Sequence, residues 1–310
     1  MHIAIFGANS QIAKDLIRSL VADKDCRLSL FLRDKNKLDT SALTSAHKKK
    51  VNVFQYADFN TKTHFDAIIN FVGVGDPALA VKMGSAIFEV TYEYDKLALD
   101  YLKTNNKCRY LFLSSGAAYG CNFDAPVNAQ SLALFDLNNL KTTDWYAIAK
   151  FYAEARHRTY TDLNIIDVRV FNYFSQSQDL SARYFITDAL RAIHENTVLT
   201  TSALNMYRDY ITPVDFYSLI VNALMCSGNI NLAVDCYTKG PTDKFSILNH
   251  LHKKFGLQFT VEGAPPAVNA TGTKQHYYSE NKVAATLGYR PYFNSLDGLT
   301  HEIERAQFFK

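Results

Sequence analysis

Tyr146 and Lys150 stand four residues apart in the run Trp145-Tyr-Ala-Ile-Ala-Lys150. On a helix that spacing puts both side chains on one face. Free tyrosine, with a pKa of about 10, is a poor base at neutral pH, and a neighbouring positive charge favours its phenolate. Tyr and Lys are common on helices, so the pair takes its meaning from its surroundings. Upstream, Ser114 and Ser115 close the apolar run Tyr110–Leu113. In open α/β sheets ligands sit beyond the carboxyl ends of strands, where such a hydroxyl can meet a substrate oxygen. A phenol, an ammonium and a hydroxyl together suit hydride transfer to or from a carbinol carbon, with the tyrosine giving or taking the hydroxyl proton.

A second constellation could hold the hydride carrier. Gly7-Ala-Asn-Ser10-Gln11-Ile12-Ala13 lies between the apolar run Ile3–Phe6 and a helical pattern. The start of a helix after a strand presents free N–H groups and a positive dipole end, which suits a pyrophosphate. Gly7, Ser10, Gln11 and Ile12 are therefore candidate dinucleotide contacts. Only Gly7 is glycine; Ser10 adds a Cβ and a hydroxyl that can bond phosphate, and Ala13 still permits close helix–strand packing. An ordinary strand–turn–helix connection is the competing reading. The second apolar run ends Leu32-Arg33-Asp34. NAD enzymes commonly place a carboxylate there for the ribose 2′-hydroxyl, whereas Arg33 suits a 2′-phosphate and favours NADP, with NAD through Asp34 as the alternative.

These residues need elements to position them. Strands are expected at Ile3–Phe6, Arg27–Leu32, Val51–Tyr56, Ala67–Val72, Tyr110–Leu113, Ile165–Phe171 and Leu232–Tyr237. Helices are expected with Ile12, Leu16 and Leu20 on one face, with Tyr94, Leu97 and Tyr101, and from about Trp145 to Tyr160. Alternation of this kind implies a doubly wound parallel sheet, Rossmann-like and covered on both faces. Thr212-Pro213 with Asp215 reads as a helix start. Later helices carry Phe245, Leu248 and Leu251, and end at Leu287-Gly288. The expected division is a dinucleotide-binding domain of residues 1–172 and 212–237, with a smaller, discontinuous substrate domain of 173–211 and 238–310.

Taken in order, the loop from Gly7, the Leu113-Ser-Ser-Gly-Ala-Ala-Tyr119-Gly120 segment and Tyr146-x-x-x-Lys150 resemble the extended short-chain dehydrogenase/reductase family. The resemblance implies that Ser115 is the catalytic hydroxyl, that Tyr146 is the proton-transfer residue and that Lys150 also grips the nicotinamide ribose. Asp58-Phe59 is similar to the family's pair against the adenine. Arg169-Val-Phe-Asn172 is similar to its Arg-x-Phe-Asn, whose asparagine faces the substrate. Arg208-Asp-Tyr-Ile211 with Asp215 resembles the motif whose arginine reaches the diphosphate of a nucleotide sugar; a structural salt bridge is the alternative for Arg208. Leu287-Gly288-Tyr289-Arg-Pro291 and Leu296-Asp-Gly298-Leu299 resemble C-terminal features of the family.

Three departures narrow the chemistry. Gly116-Ala117 replaces the Asp-Glu pair of sugar 4,6-dehydratases, so water elimination is not expected. No cysteine follows the serine, so no base for 3,5-epimerisation is evident. Asn70-Phe-Val-Gly73 replaces the common His-Leu-Ala-Ala. What remains is NADPH-dependent reduction of a 4-keto nucleotide sugar, with 4-epimerisation on tightly bound NAD as the alternative and a non-catalytic dinucleotide sensor as a third reading.

Composition sets the outer bounds. Among 310 residues, 33 Lys plus Arg against 30 Asp plus Glu give a net charge of +3, too small to argue for nucleic acid or an anionic membrane. No apolar run approaches the roughly 20 residues that span a bilayer. Cys26, Cys108, Cys121, Cys226 and Cys236 are dispersed without CxxC spacing, so no metal site or disulfide framework is expected, and a cytoplasmic protein is. The resemblance allows a homodimer.

Overall fold

Near-continuous apolar runs build a sheet that is buried on both faces, as parallel sheets are. The computed structural model describes residues 1–310 except 39–43, 75–76, 121–122, 264–273 and 307–310, so Cys121 lies outside the described residues. The strands are β1 (His2–Phe6), β2 (Arg27–Leu32), β3 (Val51–Gln55), β4 (Ala67–Asn70), β5 (Arg109–Ser115), β6 (Ile165–Val170), β7 (Asn172–Tyr173), β8 (Val198–Ser202), β9 (Tyr207–Arg208), β10 (Tyr210–Ile211), β11 (Asn231–Asp235), β12 (Thr242–Asp243), β13 (Gln258–Glu262) and β14 (His276–Tyr277). The helices are α1 (Gln11–Ala22), α2 (Ser45–Lys48), α3 (Pro77–Met83), α4 (Ala86–Thr104), α5 (Trp145–Arg158), α6 (Phe185–His194), α7 (Pro213–Met225), α8 (Lys244–Phe255) and α9 (Ser295–Arg305).

The seven-stranded sheet runs β3-β2-β1-β4-β5-β6-β11, and every pairing in it is parallel. Leu16, Ile17 and Leu20 of α1 and Phe216, Leu219 and Ile220 of α7 pack on one face. Ala98, Leu99 and Leu102 of α4 and Ala153 of α5 pack on the other. The strand order reverses between β1 and β4, which opens the crevice where ligands bind in such sheets. The shorter strands form three small sheets, β7 with β10, β8 with β13, and β12-β9-β14. A separate apolar core joins Phe174, Leu190 and Tyr210 to Ile247, Leu251, Leu299 and Ile303.

Local chemistry adjusts several expected boundaries. β4 stops at Asn70 rather than Val72 because the Val72 N–H turns back to Asn70 Oδ1 at 2.8 Å. The segment before Gly288 is a single 3-10 turn, Val283–Leu287, and not a full helix; Asn281 Oδ1 accepts the Val283 N–H and Gly288 closes the turn at φ 93°. Thr212 occupies the N-cap position of α7 with Pro213 in the first turn, but its hydroxyl makes no capping hydrogen bond among the described residues, and the Asp215 carboxylate accepts the N–H groups of Tyr292 and Phe293 instead of acting only on the helix dipole. α9 was not expected from periodicity; Asn294 caps it by accepting the Asp297 N–H at 2.8 Å. Among the described residues no helix is long and apolar enough to cross a membrane.

Arg109 shows how tightly β5 is tied down. Its guanidinium donates to the carbonyls of Ala223, Leu224, Cys226 and Gly228 at 2.8, 3.3, 2.7 and 3.1 Å, which terminates α7 with a buried cation. Arg109→Met removes that donor from all four carbonyls, leaving Ala223 O only the Cys226 thiol at 3.2 Å, and should lower the unfolding free energy by about 2–3 kcal/mol. Urea denaturation measures this, and a loss under about 0.5 kcal/mol, the range of an ordinary surface substitution, would contradict it.

Candidate active site

The loops after β1 and β4 meet at the reversal of strand order. Gly7 has φ 71°, and a Cβ there would lie 2.9 Å from Phe71 C and Val72 N, so the close approach requires glycine. Ser10 caps α1 by accepting the Ala13 N–H at 3.3 Å, which leaves its own proton free to donate. Gln11 and Ile12 are the first helical residues, and their N–H groups are among those a helix cannot satisfy internally. The Gln11 side chain is committed elsewhere, donating to Ser175 Oγ and Gln178 Oε1, both at 3.0 Å. Asn9 Oδ1 is buried with no partner among the described residues, an acceptor of the kind a ribose hydroxyl satisfies. The loop therefore fits a dinucleotide.

At the end of β2, Arg33 is exposed and forms no ion pair among the described residues. Asp34 turns its carboxylate to the Asn36 N–H at 3.0 Å and caps a 3-10 turn. Two aromatic residues face this region, Tyr94 from the helix expected to carry it and Tyr56, which no motif singled out. Tyr56 OH accepts the Gly7 N–H at 2.8 Å, and its ring lies 4.4 Å from that of Tyr94. Burial pushes both phenols up, and the Arg33 charge draws both partly back. Asp58 accepts the Gln55 N–H at 2.9 Å, and Phe59 stacks on Phe65 and meets Phe6 and Phe31 edge-on. Those two side chains thus serve a turn and an aromatic cluster.

The carboxyl ends of β4, β5 and β6 form the second half of the site. Lys150 is 4% exposed and donates to Leu113 O at 2.7 Å, with its ammonium 4.4 Å over the Phe112 ring. A Cβ on Gly73 would lie 3.2 Å from Lys150 Nζ, so the loop after β4 abuts the lysine. Burial pulls the ammonium down to about 8, against the pull of Asp95, Glu154 and Asp167. The two serines separate cleanly. Ser114 Oγ donates to Glu154 Oε1 at 2.5 Å, away from the crevice, while Ser115 Oγ accepts the Ala117 N–H at 3.1 Å and faces the Tyr146 and Tyr277 phenols. Loss of hydration pushes the Tyr146 phenol up and Ser115 draws it partly back, so the phenol is protonated at neutral pH.

Tyr277 completes this corner and had no signal in motif or period. Its hydroxyl lies 3.4 Å from Ser115 Oγ, so one serine stands between two phenols. Asn172 Nδ2 donates to Tyr277 O at 3.0 Å and fixes that strand in place. Arg208 is 8% exposed, lies 5.9 Å from the Tyr277 ring centre and donates to the carbonyls of Tyr207 and Gln275 at 2.7 and 3.4 Å. No carboxylate pairs with it among the described residues, unlike Arg169, which binds Glu154 at 2.5 Å and Asp235 at 3.3 Å. Ser115, Tyr146, Lys150, Asn172 and Arg208 are thus brought together around Tyr277 and the β5 end. Among the described residues no three His, Cys, Asp or Glu side chains gather as a metal-binding group.

Residues 3–232 match the sequence model of the NAD dependent epimerase/dehydratase family. No curated protein matches the chain. Among solved structures, a UDP-N-acetylglucosamine 4-epimerase from Methanobrevibacter ruminantium with UDP-N-acetylmuramic acid superposes with a TM-score of 0.79 at 14% identity, over 98% of this chain and 97% of that one. A UDP-glucose 4-epimerase from Thermotoga maritima with UDP-glucose gives 0.79 at 14%, over 98% of each chain. A UDP-glucuronic acid 4-epimerase from Bacillus cereus with NAD gives 0.75 at 16%, again over 98% of each. At these identities the likeness establishes the fold.

A buried lysine held at about 8 destabilises the folded chain, because folding disfavours its charged form. That cost is full below about 8 and vanishes above the ordinary value of 10.5. Lys150→Met should therefore raise stability at pH 7 by about 1–3 kcal/mol, with a gain that shrinks as pH climbs between those limits. Thermal or urea unfolding at pH 7 and pH 10 checks both parts. A variant less stable than the parent at pH 7 would show that the lysine is a net structural support.

Proposed function

The chain belongs to the NAD dependent epimerase/dehydratase family, and from that premise we propose that it uses NADPH to reduce a 4-keto sugar carried on a nucleoside diphosphate. The observation that carries this reading is the partly buried, protonated Tyr146 phenol beside Ser115 at the end of β5. A ketone gaining a hydride needs a proton at its oxygen, and Tyr146 is a donor in the required state. Ser115 orients that oxygen, and Lys150 binds the ribose side of the dinucleotide while its charge stabilises the phenolate left behind. The bound dinucleotide supplies the hydride. Gly116-Ala117 offers no acid or base, which argues against dehydration.

Substrate class rests on Arg208. A buried guanidinium with no carboxylate partner among the described residues suits the fork geometry of a diphosphate. The similar epimerases hold UDP-linked sugars, in keeping with that assignment. NADP is the proposed cofactor because Arg33 is free while the Asp34 carboxylate caps a turn. The second reading, 4-epimerisation on bound NAD, is favoured by the solved structures themselves, which are 4-epimerases, one of them with NAD. Exposed Tyr92 and Tyr152 with Arg156 between their rings, beside exposed Phe151, offer a pairing surface for a homodimer. The free thiols of Cys26, Cys108, Cys226 and Cys236 fit a reducing compartment, and we assign the protein to the cytoplasm.

Tyr146→Phe should lower turnover of a 4-keto nucleotide sugar by about 10²–10⁴-fold while dinucleotide affinity changes by no more than about threefold. Stopped-flow NADPH oxidation and cofactor titration measure the two quantities. Near-full turnover in the variant removes Tyr146 from the chemistry and revives the sensor reading.

Cofactor choice gives a separate check. NADPH should bind about tenfold or more tightly than NADH, the weight of a charge-assisted contact, and Arg33→Ala should erase the difference. Equal affinities in the parent protein, with NAD retained through purification, would favour the epimerase.

A further inference from the structure

Behind Lys150 lies a set of buried polar groups that hydride chemistry does not use. His157 Nδ1 lies 2.6 Å from Asp167 Oδ1, and His157 Nε2 lies 2.7 Å from Asp95 Oδ1. Tyr110 OH donates to the same Asp95 oxygen at 2.9 Å, and Asn70 Nδ2 donates to Tyr110 OH at 2.9 Å. The Val72 N–H then donates to Asn70 Oδ1 at 2.8 Å. His157, Asp95, Asp167 and Tyr110 are fully buried, and Asn70 is 1% exposed.

We propose that this chain, from Asp167 through His157, Asp95, Tyr110 and Asn70, is a positioning device that sets the Phe71–Gly73 loop against Lys150 for dinucleotide binding. The inference deepens the cofactor reading above and rests on it.

The chain has one polarity. Both imidazole nitrogens face carboxylates, so the ring carries two protons and donates in both directions. Burial opposes that charge, but Asp167 and Asp95 outweigh it and hold His157 up to about 10. With Asp95 an acceptor, Tyr110 must donate to it. The phenol oxygen is then left to accept, which turns the Asn70 amide so that its NH₂ faces Tyr110. Asn70 Oδ1 consequently points at Val72, the residue before Gly73. A charge fixed between α4, α5 and β6 thereby dictates an amide orientation at the mouth of the crevice.

Its placement argues for more than stability. Replacing buried ion pairs by apolar side chains is often neutral or stabilising, so the groups are weak evidence of a stabilising role. The chain ends at the carboxyl end of β4, beside the strand-order reversal where such sheets bind ligands. The Phe112 ring lies between the Lys150 ammonium at 4.4 Å and the His157 ring at 5.2 Å, so chain and lysine share one wall. Arg156 Nη1 meets Asp95 Oδ2 at 3.0 Å and Arg158 meets Asp167 Oδ2, which closes the outer end. The inner end opens only towards the loop. Asn70, which departs from the histidine common at that position, thereby gains a role.

Tyr110→Phe removes the middle oxygen and keeps the ring and both ion pairs. In the full chain it should weaken NADPH and NADH binding by about tenfold, the worth of roughly one hydrogen bond. Exchange of the Val72 amide, read by hydrogen–deuterium exchange, should quicken by a similar factor. Ile68→Val, a packing loss in the same strand, should leave both readings within about twofold. Asn70→Ala cuts the chain at its last link and should reproduce the Tyr110→Phe losses, so the idea stays testable if Tyr110→Phe does not fold. Unchanged affinity and exchange in a folded variant, with the parent binding normally, overturn the positioning role alone. A parent that binds neither dinucleotide overturns the cofactor reading and this inference together.

Discussion

An ammonium group with almost no contact with water has to be held somewhere, and much of this structure answers that requirement for Lys150. Its direct hydrogen-bond partner is Leu113 O, at the point where β5 gives way to Ser114 and Ser115. Its direct contact on the sheet side is the face of Phe112. A carbonyl and a ring do not repay the loss of hydration, and the carboxylates of Asp95, Glu154 and Asp167 recover only part of it from α4, α5 and β6, which leaves the ammonium at about 8. The same requirement explains why residue 73 is glycine, since the loop passes close to the ammonium.

Those carboxylates could not be buried alone. Glu154 is bound by Arg169, which also reaches Asp235 at the end of β11 and Tyr119 after β5. Asp235 in turn accepts Tyr119 OH at 2.9 Å and Ser279 Oγ at 2.5 Å. Ser279 lies two residues beyond Tyr277, so the ionic framework that supports Lys150 also anchors the segment that brings a second phenol to Ser115. Sheet, helices and the late β14 strand are thus joined through charge pairs at one corner, and packing alone does not define the site. His157 belongs to this framework as a cation; its share of the stability is full below its ordinary value of 6.5 and is lost as pH rises through about 10.

Periodicity and turn chemistry made the sheet legible. β2 runs over the expected residues, β1, β3, β4 and β6 differ from expectation by one or two residues at one end, and β5 and β11 differ by one or two at both. The chain order of Gly7, Ser115, Tyr146 and Lys150 was enough to point to a nucleotide-linked hydride transfer, because each sits at a strand end or on a helix face that the pattern already located. Tyr277 and Tyr56 were not legible for a physical reason: they reach the site through strand pairing and ring packing across large sequence separations, and no local spacing encodes that. The same holds for the ionic framework. Asp95, His157 and Asp167 each read as ordinary charged positions, and only the fold turns them inward. α9 was missed because its apolar stripe is short, Leu296, Leu299 and Ile303, and is interrupted by Gly298, and its other signal is a cap, Asn294 with Asp297.

The glycine-poor loop after β1 is the feature that most favoured a dinucleotide sensor over an enzyme, and its geometry weakens that argument. Gly7 is needed, since its backbone is left-handed and Phe71 and Val72 crowd the space a side chain would take. Ser10 is at φ −66° and ψ 151°, an extended conformation open to any residue, and its side chain caps the helix that would face the pyrophosphate. Ala13 is fully buried against the sheet, where a methyl group fits. The two positions that lack glycine are therefore positions that do not require it here. Gly7 is kept where a Cβ would strike the backbone of the loop after β4, and Ser10 and Ala13 stand where the fold accommodates a Cβ. The loop is altered in composition and competent in shape, which leaves the protonated Tyr146 beside Ser115 as the feature that any account of the protein has to explain.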